Sequence, residues 1–209
     1  NDDDFKIVFV VFYSAIIYHL ARLMKAKGME PPRHITFSGT GSKIISVADE
    51  SPELISLQLL TKLLFEKVFG KSIEKIKLWQ HNEPKEITCK GGLLNDKKID
   101  IEHIKTVLLG DHANTVIPDK PLNYSQVAND TVLFSVIDEV QNFIDLLFSL
   151  DGELNFTDKF GVKSALITQY KSALKDDLIT KLKSELTRKT RELEEGTEIK
   201  VEEPLFFYP

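Results

Sequence analysis

The residues best suited to chemistry lie in one glycine-containing stretch, Ile35-Thr36-Phe37-Ser38-Gly39-Thr40-Gly41-Ser42-Lys43. A β-prone run ends there in two glycines one residue apart, and a hydroxyl and a lysine follow. Glycine accepts positive φ and lets a ligand approach the backbone, and N–H groups in such turns, or at a following helix N-terminus, favour anions. The stretch is therefore either a phosphate or nucleotide site or a strand-to-helix turn that binds nothing.

The order of the residues excludes two familiar phosphate-binding motifs. A P-loop has glycine, lysine and then serine or threonine, whereas this chain has Gly41, Ser42 and Lys43 in that order. A dinucleotide fingerprint has a third glycine three residues after the second, and that position is Ile44. The stretch belongs to neither motif.

Composition limits the class of protein further. The length of 209 residues predicts one domain or two small ones. A net charge of −5 without a basic tract argues against nucleic acid as a partner. Cys89 is the only cysteine, so an intramolecular disulfide is impossible and a cytoplasmic location is favoured. The histidines are dispersed and no zinc spacing occurs, so we predict no metal site in this chain. Adjacent acidic pairs such as Asp138-Glu139 do not face each other on a helix, and nothing in the sequence activates Cys89, so we predict no catalytic residue.

Both ends of the chain carry apolar runs. The first, Ile7–Tyr18, is interrupted by Ser14 and is shorter than the stretch of about 18 apolar residues that a membrane span needs. We therefore predict a buried helix and no membrane contact, and we find no signal-peptide pattern. The second run, Pro204–Pro209, would be an exposed apolar tail if it were free. We expect the chain to be part of a longer protein.

Apolar spacing and turn residues predict the elements of the first half. They are a helix over Phe5–Lys27 ended by Gly28, a strand over His34–Phe37, the glycine turn, a short helix or extended piece over Lys43–Val47, a helix from Ser51-Pro52-Glu53 to Phe69 ended by Gly70, a strand over Ile73–Trp79, and a helix over Glu83–Leu94. Ile76 and Leu78 share the predicted buried face of the second strand. Trp79 is predicted to be a core residue rather than a stacking platform.

This order of elements resembles the last part of subdomain IIA in the actin, heat-shock chaperone and sugar-kinase ATPase superfamily. The family's adenosine motif follows a short strand and reads apolar, Ser/Thr, Gly, Gly, Gly, Ala/Ser. The segment Phe37-Ser38-Gly39-Thr40-Gly41-Ser42 matches it everywhere except at Thr40. Pro84 and the segment Lys90-Gly91-Gly92-Leu93 resemble the proline-containing cap and small-residue segment of the family's following helix. The resemblance covers residues 5–95 and implies an α/β, ribonuclease H-like half-domain.

The resemblance also implies a nucleotide-facing role for the turn. The residues that it places against the sugar, base edge and α-phosphate region of ATP are Gly39, Thr40, Gly41 and Ser42. Lys43 either adds a cation or is a solvated residue at a helix start. ATP with magnesium is the cofactor that the resemblance implies for the full-length parent. The family's catalytic aspartates lie in two Asp-x-Gly motifs that follow strands, and neither motif occurs here, so we expect little or no ATPase activity from this chain alone.

The second half has a mainly helical pattern. A strand after a short helix is predicted within residues 99–110, a loop over 111–123, and helices over 125–150 and 163–196. Mixed charges over residues 181–195 are typical of a solvated helix face. We therefore predict two domains, an actin-like portion over 1–98 and a helix-rich C-terminal extension over 99–209 that offers a place for protein partners.

Two functions stay open from the sequence. In the first, the chain contributes the adenosine side of an ATP site to an actin/chaperone-like ATPase, and the upstream part of the same protein is its partner. In the second, the chain is a non-catalytic interaction or scaffold module that keeps the fold but not nucleotide binding. The order of the motifs favours the first function, whereas Thr40 and the helical extension favour the second.

Overall fold

The computed structural model describes residues 2–51, 53–80, 107–108, 116–117 and 130–194, and within them the chain is a mixed α/β protein dominated by helices. The elements, in chain order, are α1 (Asp2–Ala26), β1 (His34–Phe37), a 3-10 helix (Thr40–Val47), α2 (Ile55–Phe69), β2 (Lys77–Gln80), β3 (Val107–Leu108), β4 (Val116–Ile117), α3 (Asp130–Ser149), α4 (Asp151–Leu154), α5 (Phe156–Phe160), α6 (Ser164–Ala173), a π-helical turn (Leu174–Leu178) and α7 (Ile179–Glu194).

The chain forms two compact units. The first consists of Asn1–His103 and Leu150–Ser164, and the second consists of Ile104–Ser149 and Ala165–Pro209. The domain boundary predicted between residues 98 and 99 stays a prediction about domain organisation. The first unit carries the glycine turn, so the fold of this unit determines how the turn is positioned.

Helix α1 begins the first unit and confirms the predicted helix over Phe5–Lys27, but the helix is buried on one face only and not throughout as was predicted. Apolar residues recur every three or four positions, which places one face of the helix in the core. The apolar residues most deeply buried on this face are Ile7, Val10, Tyr13, Ile17 and Ala21, and Ser14 is buried among them. Gly28 ends the helix with a φ of 67°, and the N–H of Met29 donates to the carbonyl of Met24 at 2.9 Å. This is a Schellman-type end, in which glycine adopts the left-handed conformation at low cost.

Helix α1 packs against α2 through apolar side chains and two polar contacts. The hydroxyls of Tyr13 and Thr61 are hydrogen bonded at 2.6 Å inside the buried interface. Burial raises the pKa of Tyr13 well above its usual range, although the hydrogen bond with Thr61 lowers it, and the nearby charge of Asp49 adds to the rise. At the other end, Lys25 Nζ donates to the carbonyl of Val68 at 2.6 Å, near the C-terminus of α2.

Strands β1 and β2 pair in parallel, and α2 lies between them in the chain. The register pairs His34 with Lys77 at one end and Phe37 with Gln80 at the other. The predicted strand over His34–Phe37 is confirmed. The second strand has different bounds from the prediction, because it begins at Lys77 instead of Ile73 and extends to Gln80.

Strand β2 follows the predicted alternation of buried and exposed side chains, but Trp79 does not lie in the core as was predicted for it. Ile76 and Leu78 are buried, as predicted. Trp79 is 56% exposed, so its prediction as a core residue is wrong. Successive side chains of a strand point to opposite faces of a sheet, and Leu78 occupies the inner face. Trp79 therefore lies on the outer face, where its ring is 6.5 Å from that of His34.

Of the remaining described elements, α4 and α5 belong to the first unit, and α3 and the π-helical turn belong to the second. In the first unit, α4 is joined to α2 by an ion pair at 2.5 Å between Lys67 and Glu153, and α5 buries Phe156 and Phe160. In the second unit, an ion pair at 2.5 Å joins Lys175 of the π-helical turn to Asp145 of α3.

The second unit agrees with the predicted helices and differs in one loop. Helix α3 falls within the predicted helix over 125–150. Helices α6 and α7 fall within the predicted helix over 163–196, and the π-helical turn between them was not predicted. Strand β3 lies within 99–110, where a strand was expected. Strand β4 pairs with it antiparallel, so the prediction of loop throughout 111–123 is wrong at Val116–Ile117. The predicted helix over Glu83–Leu94 lies outside the described residues.

The stability of the first unit should depend on alkaline pH through Tyr13. The folded state keeps the Tyr13 proton while the unfolded chain releases it near a pKa of about 10, so stabilisation is complete below that pH and is lost above it. We expect wild type to lose about 1.4 kcal/mol per pH unit above about pH 10 relative to Tyr13→Phe. Urea unfolding followed by Trp79 fluorescence measures this difference. A stability gap between the two proteins that does not change from pH 8 to 11 would contradict the assignment.

Candidate functional site

The glycine turn directly follows β1 and begins the 3-10 helix. Gly39 has a φ of 81° and a ψ of 162°, a region that is essentially restricted to glycine. Gly41 is part of the 3-10 helix and is not among the glycines with positive φ. Of the two glycines predicted to supply unusual backbone geometry, only Gly39 does so.

Ser42 is tied back onto the turn. Its hydroxyl donates to the carbonyl of Gly39 at 2.8 Å, and its N–H donates to the same oxygen at 3.1 Å. The residue is buried, with 8% of its surface exposed. Ser42 therefore fixes the orientation of the Gly39 peptide.

The other predicted site residues lie along the first turns of the 3-10 helix. Thr40 is its first residue, and Gly41 and Lys43 follow within it. Both Gly41 and Lys43 are exposed. The first N–H groups of a helix have no acceptor within the helix, so the start at Thr40 is the part of this segment suited to an external acceptor. All five residues predicted from the sequence are thus contiguous at one helix start.

Gln80 is a residue of this site that sequence reasoning missed. It is the last residue of β2, and its Nε2 atom donates to the carbonyl of Ser42 at 2.8 Å. A glutamine at the end of a strand carries no motif by itself. The signal that could have found it is topological, because parallel neighbours end at the same edge of a sheet and the residue after one strand can reach the end of the other.

The N-terminus of α2 is already used by the protein. The predicted start at Ser51-Pro52-Glu53 is wrong, because Leu54 adopts a left-handed conformation and the helix begins at Ile55. The buried carboxylate of Asp49 accepts hydrogen bonds from the N–H of Leu57 at 3.1 Å and from the hydroxyl of Ser51 at 2.6 Å. A carboxylate at a helix N-terminus satisfies the orphan N–H groups and the helix dipole. Of the two helices that follow β1, the 3-10 helix is therefore the one whose first N–H groups are left for an external acceptor.

Similarity to known proteins does not indicate what the site binds. Searches against family models, curated proteins and solved structures return no match to this chain. Within the part of the chain that the structure describes, there is no group of three or more His, Cys, Asp or Glu residues that could hold a metal ion. Among the described helices one, Asp4–Ala26, is long and apolar enough to cross a membrane, but buried core helices of soluble proteins and N-terminal signal sequences have the same length and composition.

The two glycines of the turn should respond differently to alanine. Gly39→Ala forces a side chain into a glycine-only conformation and should cost about 1–3 kcal/mol. Gly41→Ala, at an ordinary helical φ, should be neutral or stabilising by up to about 1 kcal/mol, since alanine is the better helix former. Urea unfolding of both variants measures this contrast. Equal losses of stability would contradict the backbone geometry described here.

Proposed function

We propose that this chain contributes the adenosine side of an ATP site to an actin/chaperone-like ATPase with a ribonuclease H-like fold. The observation that carries the proposal is the position of the glycine turn, which follows directly on one strand of a parallel pair. In open α/β sheets, ligands bind in the crevice outside the carboxyl ends of the strands. The end of β2 meets the same turn through Gln80, so the turn lies at that edge.

The two glycines support the proposal for different reasons. A Cβ atom added at Gly39 or Gly41 would meet no atom of the described residues within 4 Å, so internal crowding does not require glycine at either position. Gly39 is explained by its positive φ. Gly41 has no such explanation, and the open space above it would let a ligand approach the backbone.

The role we propose is binding rather than catalysis. ATP with magnesium is the proposed cofactor of the full-length protein, and the magnesium and the attacking water would be held by the Asp-x-Gly motifs that this chain lacks. The first N–H groups of the 3-10 helix would orient the nucleoside and its α-phosphate region. The exposed Lys43 would add positive charge near that region without a fixed geometry. We expect little or no ATP hydrolysis by the chain alone.

The exposed face of α1 supports the upstream part of the same protein as the partner. This face carries Phe5, Val8, Phe12 and Ile16, each about half exposed. Their spacing of three and four places them in one stripe, opposite the face that packs on α2. A stripe of large apolar side chains is typical of a surface that another segment covers.

Hydrogen exchange tests whether the upstream part covers this stripe. We expect the amides of α1 to exchange more slowly in the full-length protein than in this chain, and equal rates would contradict such a cover.

A second candidate function is a non-catalytic interaction or scaffold module, with partner contacts through the helical extension. The internal hydrogen bonds of the turn favour it. Both donors of Ser42 bind the Gly39 carbonyl, and Gln80 binds the Ser42 carbonyl. A turn that satisfies its own polar groups is stable without a ligand, and Thr40 adds a side chain where the resembled motif has none.

Substitutions at Gly41 and Thr40 separate the two functions. With full-length protein, Gly41→Ala should weaken binding of ATP with magnesium by about tenfold while leaving stability intact, because the new methyl group would occupy the approach path of the nucleotide. Thr40→Gly should tighten binding, since it restores the glycine that the resembled motif has at this position. Isothermal titration calorimetry measures both affinities, with Gly152→Ala as the control at an exposed glycine of α4.

The outcome decides between the candidates. The nucleotide site is supported if ATP binds more weakly to Gly41→Ala, more tightly to Thr40→Gly and with unchanged affinity to Gly152→Ala. No detectable ATP binding by the wild-type protein would sink it and would leave the interaction module as the remaining candidate.

A further inference from the structure

The side chain of Gln80 joins two segments that are distant in sequence. Its amide donates to the carbonyl of Ser42, 38 positions earlier, at 2.8 Å. Gln80 is half-buried, and its backbone pairs in register with Phe37, the last residue of β1. The end of β2 is therefore held both to the end of β1 and to the helix start that follows it.

The hydrogen bond of Gln80 continues into the turn. The Ser42 carbonyl accepts this bond, and the hydroxyl and N–H of Ser42 both donate to the carbonyl of Gly39. Gly39 is the residue whose unusual φ and ψ define the turn. A chain of hydrogen bonds of this kind, Gln80 to Ser42 to Gly39, fixes a backbone shape more firmly than any one member alone.

We infer that Gln80 is a positioning residue that holds the glycine turn in its ligand-accepting shape. The inference rests on the proposed nucleotide site and adds to it a dependence on β2. Without the Gln80 donor, the Ser42 carbonyl loses a partner and the 3-10 helix start is free to shift against β1. By linkage, a nucleoside bound to the turn should also stabilise the pairing of Gln80 with Phe37.

The variant that tests the inference is Gln80→Met. Methionine has nearly the length of glutamine and no charge, but it has no N–H to donate. Adenosine is the probe, because it is uncharged and does not respond to a change in local charge. Gln141→Met, at an exposed position of α3, is the matched control.

Two measurements on the full-length protein distinguish a role of Gln80 in positioning the turn from a role in packing alone. Without ligand, the Ser42 amide should exchange its hydrogen about two- to tenfold faster in Gln80→Met, the range expected for the loss of one neutral hydrogen bond. Adenosine should bind weaker by a similar factor, with little change in the unfolding midpoint. A residue that only packs would move the midpoint without moving the exchange of this one amide.

A double-mutant cycle completes the test. In the Gly41→Ala background, Gln80→Met should have little further effect on adenosine affinity, because both act through the same turn. Unchanged Ser42 exchange, or additive effects on affinity, would overturn the positioning role. Faster exchange in a protein whose wild type binds no adenosine would overturn the proposed function, and with it the part of Gln80 in ligand binding.

Discussion

The parallel pairing of β1 with β2 is the constraint on which the rest of the first unit depends. Parallel strands need a crossover, and α2 supplies it. The crossover has to pack on the sheet, and α1 packs on α2 in turn through Tyr13 and Thr61. Since both strands end at one edge, the pairing also brings Gln80 to the glycine turn. The turn is therefore positioned by the topology and not by its own sequence alone.

Two helices begin after β1 in the chain, and their first N–H groups are satisfied in different ways. The start of α2 is closed by the buried carboxylate of Asp49 and by the left-handed backbone of Leu54. The start of the 3-10 helix has glycine in place of a side-chain cap. A helix start without an internal cap leaves N–H groups for solvent or a ligand. This difference between the two starts is the physical basis for placing the proposed site at Gly39–Ser42 rather than at α2.

Local sequence signals predicted much of this fold, and long-range contacts account for the rest. Helix α1, strand β1 and the glycine helix ends at Gly28 and Gly70 follow from spacing and turn chemistry that act within a few residues. The start of α2 was misplaced because Asp49 caps it from outside the helix. The exposure of Trp79 was missed because its apolar ring was weighed above the alternation that already placed Ile76 and Leu78 on the buried face. Gln80 was missed because its role depends on strand register. The actin-like fold and the nucleotide site stay proposals.

The measurement that tests the central claim most directly is a comparison of adenosine with inorganic triphosphate by amide chemical-shift mapping. The claim is that the turn holds the nucleoside end of ATP and that the phosphate end lies against other parts of the full-length protein. It predicts that adenosine shifts the amide signals of Gly39, Thr40 and Gly41 in a saturable way, and that inorganic triphosphate shifts them less than adenosine does. Shifts with triphosphate alone, or with neither ligand, would contradict it.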